Sequence, residues 1–153
     1  MDFNIHQADK EEALQMNDLL TKLIQDEKQY DDTIDPNFIV VSFYEQYIED
    51  KNKCLLVATK EKMVVGYLYG YIKNPEGGTI DVFSAKLDAL FVSEEYRKQH
   101  IAKDLIDNFK TWCKDKNVTS LEVDVCSENN KALNLYKQAG FEEFKKSLKM
   151  DIN

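Results

Sequence analysis

A basic stretch in the second half of the chain has the composition of an anion-binding site. Arg97, Lys98 and Lys103 carry three positive charges within residues 97–103, which contain no acidic side chain. Apolar residues at helical spacing from Ile101 onward predict that these cations lie around the first turn of a helix. That end of a helix is already positive, because its first N–H groups lack partners. The stretch therefore indicates a site for a phosphate-like anion, with a solvated basic patch as the alternative.

Tyr136 is the second residue that could do chemistry, since a phenolic hydroxyl can donate a proton. It lies on the apolar face of a helix predicted over residues 129–139. Gly140 stands where helices often end, just past the last helical residue. On this pattern alone a tyrosine is usually a core residue with one satisfied hydroxyl. The sequence pattern is therefore compatible with either a packing role or a catalytic role for Tyr136.

Both passages depend on the elements that position them, which hydrophobic periodicity predicts along the chain. Strands are predicted at residues 3–7, 54–58, 63–72, 80–92 and 121–125, with a closing strand or hairpin at 141–152. Helices are predicted at residues 10–29, 36–50, about 101–113 and 129–139. Asp9 and Glu12 have the spacing of a capping box at the start of the first helix. Consecutive strands favour an antiparallel meander, and the later strand–helix–strand units favour parallel pairing.

The two passages together resemble the GNAT superfamily of acyl-CoA-dependent N-acyltransferases. The residues that carry the resemblance are Tyr96, Arg97, Ile101, Ala102, Asn129, Ala132, Leu135, Tyr136, Gly140 and Phe141. They fall within residues 88–145, and the predicted order of elements is also the family's order. The resemblance implies an α+β fold, an α/β sandwich whose mixed central sheet of six to seven strands is flanked by about four helices. It also implies that residues 1–153 form a single acetyltransferase domain.

The resemblance assigns binding residues for acetyl-CoA as cosubstrate. Leu90, Phe91 and Val92 correspond to the strand that pairs with the pantetheine arm. The pyrophosphate loop and helix start correspond to Arg97, Lys98, Gln99, His100, Ile101, Ala102 and Lys103. Asn129 corresponds to an asparagine that contacts the cofactor arm, and Tyr136 to the tyrosine that protonates the departing CoA thiolate.

His100 departs from the family pattern, because the family usually has its first loop glycine at this position. Glycine lets a backbone approach a ligand closely. A histidine adds bulk, although it can also donate a hydrogen bond to phosphate. The substitution keeps open a degenerate site that binds acyl-CoA or an amine as a sensor, without turnover.

The implied reaction is attack of a neutral amine on a thioester carbonyl. An amine of pKa ~10.4 is almost fully protonated at pH 7, so a base or a water chain must remove a proton. Asp88 precedes Leu90 by two positions, and strand alternation predicts that both side chains share one face. Some polyamine-modifying members of the family carry an acidic residue at this position, so the resemblance makes Asp88 the candidate base and an acceptor-binding residue. Glu122 and Asp124 are alternatives, and all three acids could simply face solvent.

The stretch 26–50 is strongly acidic and is where the family shapes its acceptor pocket. It contains eight acidic side chains and one lysine, so it carries nearly all of the chain's net charge of −8. Tyr30, Tyr44 and Tyr47 are interleaved with these acids and are candidate acceptor-binding residues. An acidic rim with aromatic walls attracts cations, which predicts a cationic primary amine such as a polyamine or an amino sugar. A solvated acidic face is the alternative, and protein N-terminal or lysine acetylation is an alternative function.

Composition excludes several other classes of protein. The negative charge and the isoelectric point of about 4.8 argue against nucleic-acid binding. No apolar run approaches the ~20 residues that span a bilayer, and no signal peptide is visible, so we expect a cytoplasmic protein. Three cysteines and two separated histidines lack the spacing of a disulfide framework or metal site. The resemblance is compatible with a homodimer.

Overall fold

The computed structural model describes residues 3–75, 77–78 and 83–153. Its strands are β1 (Asn4–Gln7), β2 (Lys53–Lys60), β3 (Met63–Ile72), β4 (Ser84–Val92) and β5 (Ser120–Val123). Its helices are α1 (Lys10–Glu27), α2 (Ile101–Asp115) and α3 (Asn130–Gln138), with single 3-10 turns at Tyr44–Tyr47 and Glu94–Tyr96. Each of these strands and α-helices was predicted, with ends that differ by a few residues. Residues 80–82 of the predicted strand 80–92 lie outside the described residues.

The five strands form one mixed sheet in the order β1-β2-β3-β4-β5. The first four are antiparallel neighbours. β5 is parallel to β4, because α2 carries the chain back across the sheet between them, as a parallel pair requires. The fold is therefore α+β with one mixed sheet, as the resemblance implies. The described residues contain five strands and three α-helices, fewer than the six to seven strands and four helices expected.

Both faces of the sheet are covered. On the α2 face, Leu68 and Leu87 pack with Leu105 and Phe109. On the α1 face, the buried residues include Ala13, Met16, Tyr44, Tyr67, Ala89 and Phe91. Gly70 lies where β3 passes Phe109, and a Cβ at that position would come within 2.2 Å of the Phe109 ring. Burial on two sides explains why β2 and β3 are almost continuously apolar.

The start of α1 confirms the predicted capping box. Asp9 Oδ1 accepts a hydrogen bond from the backbone N–H of Glu12 at 2.8 Å, and Glu12 Oε1 accepts one from the N–H of Asp9 at 3.0 Å. These reciprocal bonds satisfy donors that a helix start leaves open. None of the helices in the described residues is both long and apolar enough to cross a membrane.

The helix predicted over residues 36–50 does not form, and only the 3-10 turn at Tyr44–Tyr47 is helical. In this region, several backbone N–H groups donate to side-chain oxygens instead of to the carbonyls four residues earlier. The bonds are Thr33 N–H to Asp31 Oδ1, Asn37 N–H to Asp35 Oδ1 and Val40 N–H to Thr21 Oγ1. Short polar side chains compete with helix formation in this way, so the acidic stretch is largely a loop.

The closing strand or hairpin predicted at 141–152 is also absent, since residues 141–153 have no regular secondary structure. Gly140 ends α3 in the left-handed region, at φ +108°. A strand needs a partner for its backbone groups, and in the described residues no strand lies beside this segment. The sheet therefore ends at β5.

Candidate active site

β4 and β5 stop pairing part-way along β4, and we call the gap between them beyond that point the cleft. The two strands pair only from Ser84 opposite Ser120 to Leu87 opposite Val123. β5 ends there, whereas β4 continues through Asp88–Val92, which we call the open edge of β4. In the part of the chain that the structure describes, no strand lies beside this edge. Its backbone groups are therefore available to an extended ligand, which could bind as an added strand would.

A β-bulge at Asp88 changes which layer each side chain of β4 faces. Tyr69 pairs with Ala89, but the next residue of β3 pairs with Leu87, so Asp88 has no partner in the ladder. As a result, Leu87 and Leu90 both pack on the α2 face, whereas Ala89 packs on the α1 face. The charge of Asp88 raises the pKa of the α1-face residue Tyr69, beyond the effect of burial. The prediction that Asp88 shares a face with Leu90 is wrong, because alternation fails at a bulge.

The loop before α2 contains two non-glycine residues in the left-handed region, Lys98 at φ +62° and His100 at φ +66°. Left-handed residues beside a helix start turn successive backbone N–H groups toward one concave site, which suits an anion. In the described residues no side chain caps the first turn of α2, so these donors are open. His100 thus adopts the backbone conformation that a glycine favours at this position.

Arg97 connects this loop to two other elements. Its Nε donates a hydrogen bond to the carbonyl of Val92 at 2.8 Å, and its guanidinium lies 5.2 Å from the centre of the Phe91 ring. Its Nη2 is 3.4 Å from Asp26 Oδ2, at the end of α1. The side chain therefore holds the loop against β4 and α1, and its charge is shared with a carboxylate.

The other predicted residues of the loop and helix start differ in how far their side chains are exposed. Lys98 and His100 are exposed, Gln99 and Ala102 are half-buried, and Ile101 is buried. Because the Ile101 side chain packs in the core, only its backbone can face a ligand. Lys103 forms an ion pair with Asp107 at 2.7 Å, one turn further along α2. A cosubstrate would therefore meet mainly backbone donors and the side chains of Lys98 and His100.

Asn129 and Tyr136 are positioned by α3. Asn129 caps the helix, with Oδ1 accepting from the N–H of Ala132 at 3.2 Å. Tyr136 packs on the α2-face core and meets Phe141 edge-on, with ring centres 5.5 Å apart. Burial raises the pKa of the Tyr136 hydroxyl, and the charge of Glu27 raises it further. The hydroxyl therefore stays protonated at neutral pH, as a proton donor must.

Glu27, in the last turn of α1, was not singled out by the sequence analysis, yet it interacts with several groups of the cleft. Burial raises its pKa, and the charges of Asp31 and Asp88 raise it further. Its own charge adds to burial in raising the pKa of Tyr136 and of the half-buried Cys126. One signal was available in the sequence. Acids are disfavoured at the negative C-terminal end of a helix. A carboxylate at this position therefore indicates a role other than stabilising the helix.

Glu122 and Asp124, the alternative candidates for the base, are already paired with lysines. Lys73 Nζ lies 2.7 Å from Glu122 Oε1, and Lys86 Nζ lies 2.6 Å from Asp124 Oδ2. Neighbouring protein atoms desolvate the Asp88 carboxyl and raise its pKa, while Lys86 opposes the rise. Among the described residues, no three His, Cys, Asp or Glu side chains are grouped as a metal site requires.

Tyr44 lies in the core on the α1 face of the sheet. Its side chain is 0% exposed, and its hydroxyl is 3.0 Å from the hydroxyl of Tyr67. Its backbone N–H donates to Asn17 Oδ1 at 3.0 Å, which holds the 3-10 turn against α1. The expectation that Tyr44 contacts the acceptor does not fit this burial, and packing accounts for the residue.

Tyr47 and Tyr30 are nearer to the surface. The ammonium of Lys53 lies 5.1 Å from the centre of the Tyr47 ring and 4.8 Å from that of Tyr71. These rings therefore already hold one cation. Half-buried Tyr30 follows α1 directly, and its N–H donates to the carbonyl of Glu27 at 2.9 Å.

The fold is that of solved acetyltransferases. The aminoglycoside N-acetyltransferase AAC(6')-Iy in complex with CoA superposes with a TM-score of 0.75, over 98% of this chain and 99% of that chain. The two sequences are only 18% identical, so the comparison concerns the fold alone.

Sequence comparison identifies the family. A model described as the acetyltransferase (GNAT) family matches residues 17–141. The protein belongs to the GNAT acetyltransferase family, as the two sequence passages indicated.

Two curated relatives match over shorter stretches. A Bacillus subtilis (strain 168) protein, whose name assigns it to alanine N-acetylation of ribosomal protein bS18, is 30% identical over 101 residues, 66% of this chain. Human N-acetyltransferase 8 is 29% identical over 98 residues, 63% of this chain. The matched stretches cover 62% and 42% of these relatives, respectively.

Proposed function

We propose that the protein is an acetyl-CoA-dependent N-acetyltransferase for a primary amine, and that residues 1–153 act as one such domain. The observation that carries the proposal is the grouping of three features around one cleft. The open edge of β4 runs along it, the uncapped start of α2 follows the end of that edge, and near its beginning Glu27 interacts electrostatically with Asp88 and with Tyr136. Membership of the GNAT acetyltransferase family supports this function.

The cosubstrate would bind along the open edge of β4. The carbonyl of Val92 already accepts a hydrogen bond from Arg97 Nε, so the backbone groups of Leu90 would be the main partners for the amides of a pantetheine arm. The open N–H groups at the start of α2 would bind the pyrophosphate, with Lys98 and His100 beside them. We propose that Asn129 lines the opposite wall. Acetyl-CoA supplies an activated acetyl thioester, and this chain's side chains handle the protons.

We propose that Glu27 and Asp88 act together as the base. Both carboxyl groups have raised pKa values, and the charge of Asp88 contributes to the shift of Glu27. A carboxylate with a raised pKa is a better acceptor for an ammonium proton than an ordinary one. Removing that proton leaves a neutral amine nitrogen that can attack the thioester carbonyl.

Tyr136 would complete the transfer. As the new N–C bond forms and the C–S bond breaks, its hydroxyl donates a proton to the sulfur. The nitrogen's remaining excess proton then restores the hydroxyl through solvent, so charge and protons balance. Burial supports this role, because it keeps the hydroxyl protonated until the thiolate develops.

The charges beside the cleft favour a cationic acceptor such as a polyamine or an amino sugar. The charges of Asp31 and Asp88 both act on Glu27, and the combined field of these carboxyl groups would attract an ammonium group. The contact of Lys53 with the rings of Tyr47 and Tyr71 supports this choice, because it places a cation against aromatic rings on the same surface. The AAC(6')-Iy structure is of an enzyme named for aminoglycosides, which are amino sugars.

Acetylation of a protein N-terminus is a second candidate, favoured by a different observation. Lys53 and Lys86 lie close enough to Asp88 to lower its pKa against the effect of burial. A peptide presents carbonyl oxygens next to its terminal amine, and lysines can bind these oxygens, whereas a polyamine offers only cations. The Bacillus subtilis relative is named for this kind of acceptor.

A thiol-release assay with acetyl-CoA and a panel of amines tests these proposals. The panel contains spermidine, an aminoglycoside, an alanine-initiated peptide, a lysine-containing peptide and glutamate, with Tyr136→Phe as the matched control. We expect release with spermidine or the aminoglycoside, and a kcat/KM that falls as salt rises, because screening weakens attraction at the surface. Preference for the alanine-initiated peptide would support the second candidate. Faster turnover of glutamate than of any polycation would contradict a cationic acceptor, and acetyl-CoA binding without release for any amine would contradict an enzyme.

A further inference from the structure

The ammonium group of Lys53 lies between two aromatic rings. It is 5.1 Å from the centre of the Tyr47 ring and 4.8 Å from the centre of the Tyr71 ring. Among the residues that the structure describes, this ammonium forms no ion pair and no hydrogen bond. Cations are attracted to the faces of aromatic rings. We call the rings of Tyr47 and Tyr71 the aromatic cage, and Lys53 supplies the cation that it holds.

A third tyrosine fixes the two rings of the cage. Tyr69 is 3% exposed, and its ring stacks on the Tyr47 ring with centres 5.8 Å apart. Its ring centre is also 5.9 Å from that of Tyr71. Because Tyr69 is buried on the α1 face of the sheet, it supports both rings from below. The ammonium of Lys53, by contrast, ends a flexible four-carbon stem, so it can leave a cage that keeps its shape.

The cage lies beside the carboxylates of the candidate site. Lys53 is opposite Tyr71 in the pairing of β2 with β3, and Tyr71 is opposite Lys86 in the pairing of β3 with β4. Two strand spacings, ~10 Å, therefore separate the backbones of Lys53 and Lys86, and Asp88 follows two positions further along β4. Burial raises the pKa of Asp88, and the charge of Lys53 is among those that oppose the rise. An amine bound at Asp88 is thus on the order of 10 Å from the cage.

The surroundings of the cage also favour cations. Burial raises the pKa of Tyr69, and the charge of Asp50 is among those that raise it further. The stretch 26–50, which includes Asp50, contains eight acidic side chains and one lysine. A field of this sign concentrates cations near the surface.

We infer that the aromatic cage is the subsite for a second cationic group of the acceptor, and that Lys53 occupies it until such an acceptor binds. The inference rests on the proposed function, which places the reacting amine at Glu27 and Asp88. A linear diamine or polyamine fits both places, because its second ammonium group can replace that of Lys53 on the two rings. The Lys53 side chain then moves into solvent, and no covalent bond changes at the cage. A monoamine has no second cation to exchange for Lys53.

Thiol release with acetyl-CoA tests the cage in the full chain. The measured quantity is the ratio of kcat/KM for a linear diamine to that for the monoamine of the same length, since effects of Lys53 on the base cancel in this ratio. Lys53→Ala should raise the ratio by roughly 5- to 30-fold, the effect of two cation–π contacts. Lys53→Gln should raise it as well, and Lys53→Arg should leave it unchanged because a cation stays in the cage.

Two further variants separate the cage from the general effect of charge. Lys51→Ala removes an exposed lysine two positions away, so it changes the net charge equally and should change the ratio far less. Adding Tyr47→Leu to Lys53→Ala removes one ring at constant charge and should reverse much of the gain. Thermal denaturation of each variant checks that it is folded.

Calorimetric titration with decamethonium, a linear ion with two quaternary ammonium groups, separates the cage from catalysis because this ion cannot be acetylated. Its affinity should rise in Lys53→Ala and not in Lys51→Ala. Such a rise without thiol release from any amine would support the cage and contradict the proposed function. An unchanged diamine ratio and decamethonium affinity in Lys53→Ala, or equal rises in Lys51→Ala, would overturn the inference. A loss of activity in Lys53→Ala that is confined to an alanine-initiated peptide would also overturn it, because Lys53 would then bind peptide carbonyls.

Discussion

Asn17 Nδ2 donates a hydrogen bond to Glu45 Oε1 at 3.0 Å, which joins the middle of α1 to the 3-10 turn. The Asn17 side chain is 2% exposed, and its Oδ1 accepts the backbone N–H of Tyr44. Asn17→Ala leaves that N–H buried without an acceptor, so we expect the free energy of unfolding to fall by about 1–3 kcal/mol. Urea denaturation measures the change. Asp18→Ala, at an exposed neighbouring position, is the control. Equal losses of unfolding free energy in both variants would contradict a stabilising role for the hydrogen bonds of Asn17.

Glu45 should contribute to the acid sensitivity of folding. Hydrogen bonds, first from Asn17 and also from Ser42 and Phe43, lower its pKa from 4.5 to about 2. The stabilisation is therefore complete above about pH 4.5 and is lost as the pH falls toward 2. We expect Glu45→Gln to flatten this part of the curve of unfolding free energy against pH. An identical acid limb in the variant and the unchanged protein would show that Glu45 has no such role.

Tyr136→Phe keeps the ring and its packing against Phe141 but removes the hydroxyl. If the hydroxyl protonates the thiolate, kcat should fall by on the order of 10²–10⁴. Acetyl-CoA affinity and thermal stability should change little, since the packing is kept. Steady-state kinetics and calorimetric binding together check the prediction. A variant with unchanged kcat would leave Tyr136 with a packing role only.

Glu27→Gln and Asp88→Asn test the shared base. Each should lower kcat/KM, because one of the two carboxylates is lost. The acid limb of the pH profile should also move to lower pH in Asp88→Asn, since the charge of Asp88 raises the pKa of Glu27. Glu49→Gln, an exposed acid in the same acidic stretch, is the control. If both cleft variants kept the unchanged protein's profile, neither carboxylate would be the base.

His100→Gly and His100→Val test the left-handed loop. A non-glycine residue in this region is strained by roughly 1–2 kcal/mol, and a β-branched residue fits it worst. We therefore expect the valine variant to unfold at a lower temperature than the glycine variant and to bind acetyl-CoA more weakly. Thermal denaturation and calorimetry supply both values. Equal stability in the two variants would show that the φ of +66° does not constrain this loop.

The local elements of the fold were predictable because local rules govern them. The capping box of Asp9 and Glu12 and the hydrophobic periods of α1, α2 and α3 lie within a few residues in the sequence. The charge of the region before α2 opposes the usual preference at a helix start, and the anion site predicted from it stays a prediction.

Other features depended on contacts that the sequence does not reveal. The hydrogen bond from the N–H of Tyr44 to Asn17 Oδ1 joins residues far apart in the chain. It belongs to the loop that stands in place of the helix predicted at 36–50. Arg97 looks like a free cation in the sequence, but it bonds to Val92 and Asp26. Asp88 was placed on the wrong face because a bulge leaves no signature in hydrophobic alternation.

The bulge at Asp88 shifts the alternation of side chains between the two faces of β4 by one residue. Before it, odd-numbered residues such as Leu87 face the α2 layer, and after it even-numbered residues such as Leu90 do. One strand therefore uses two parities, and Asp88 is the inserted residue at which they meet. Deleting it would give Gly70 and Tyr69 consecutive partners in β4 and would leave Leu87 and Leu90 on the α2 face. The insertion thus adds a carboxylate at the beginning of the open edge of β4 without changing the layer that the other side chains of the strand face.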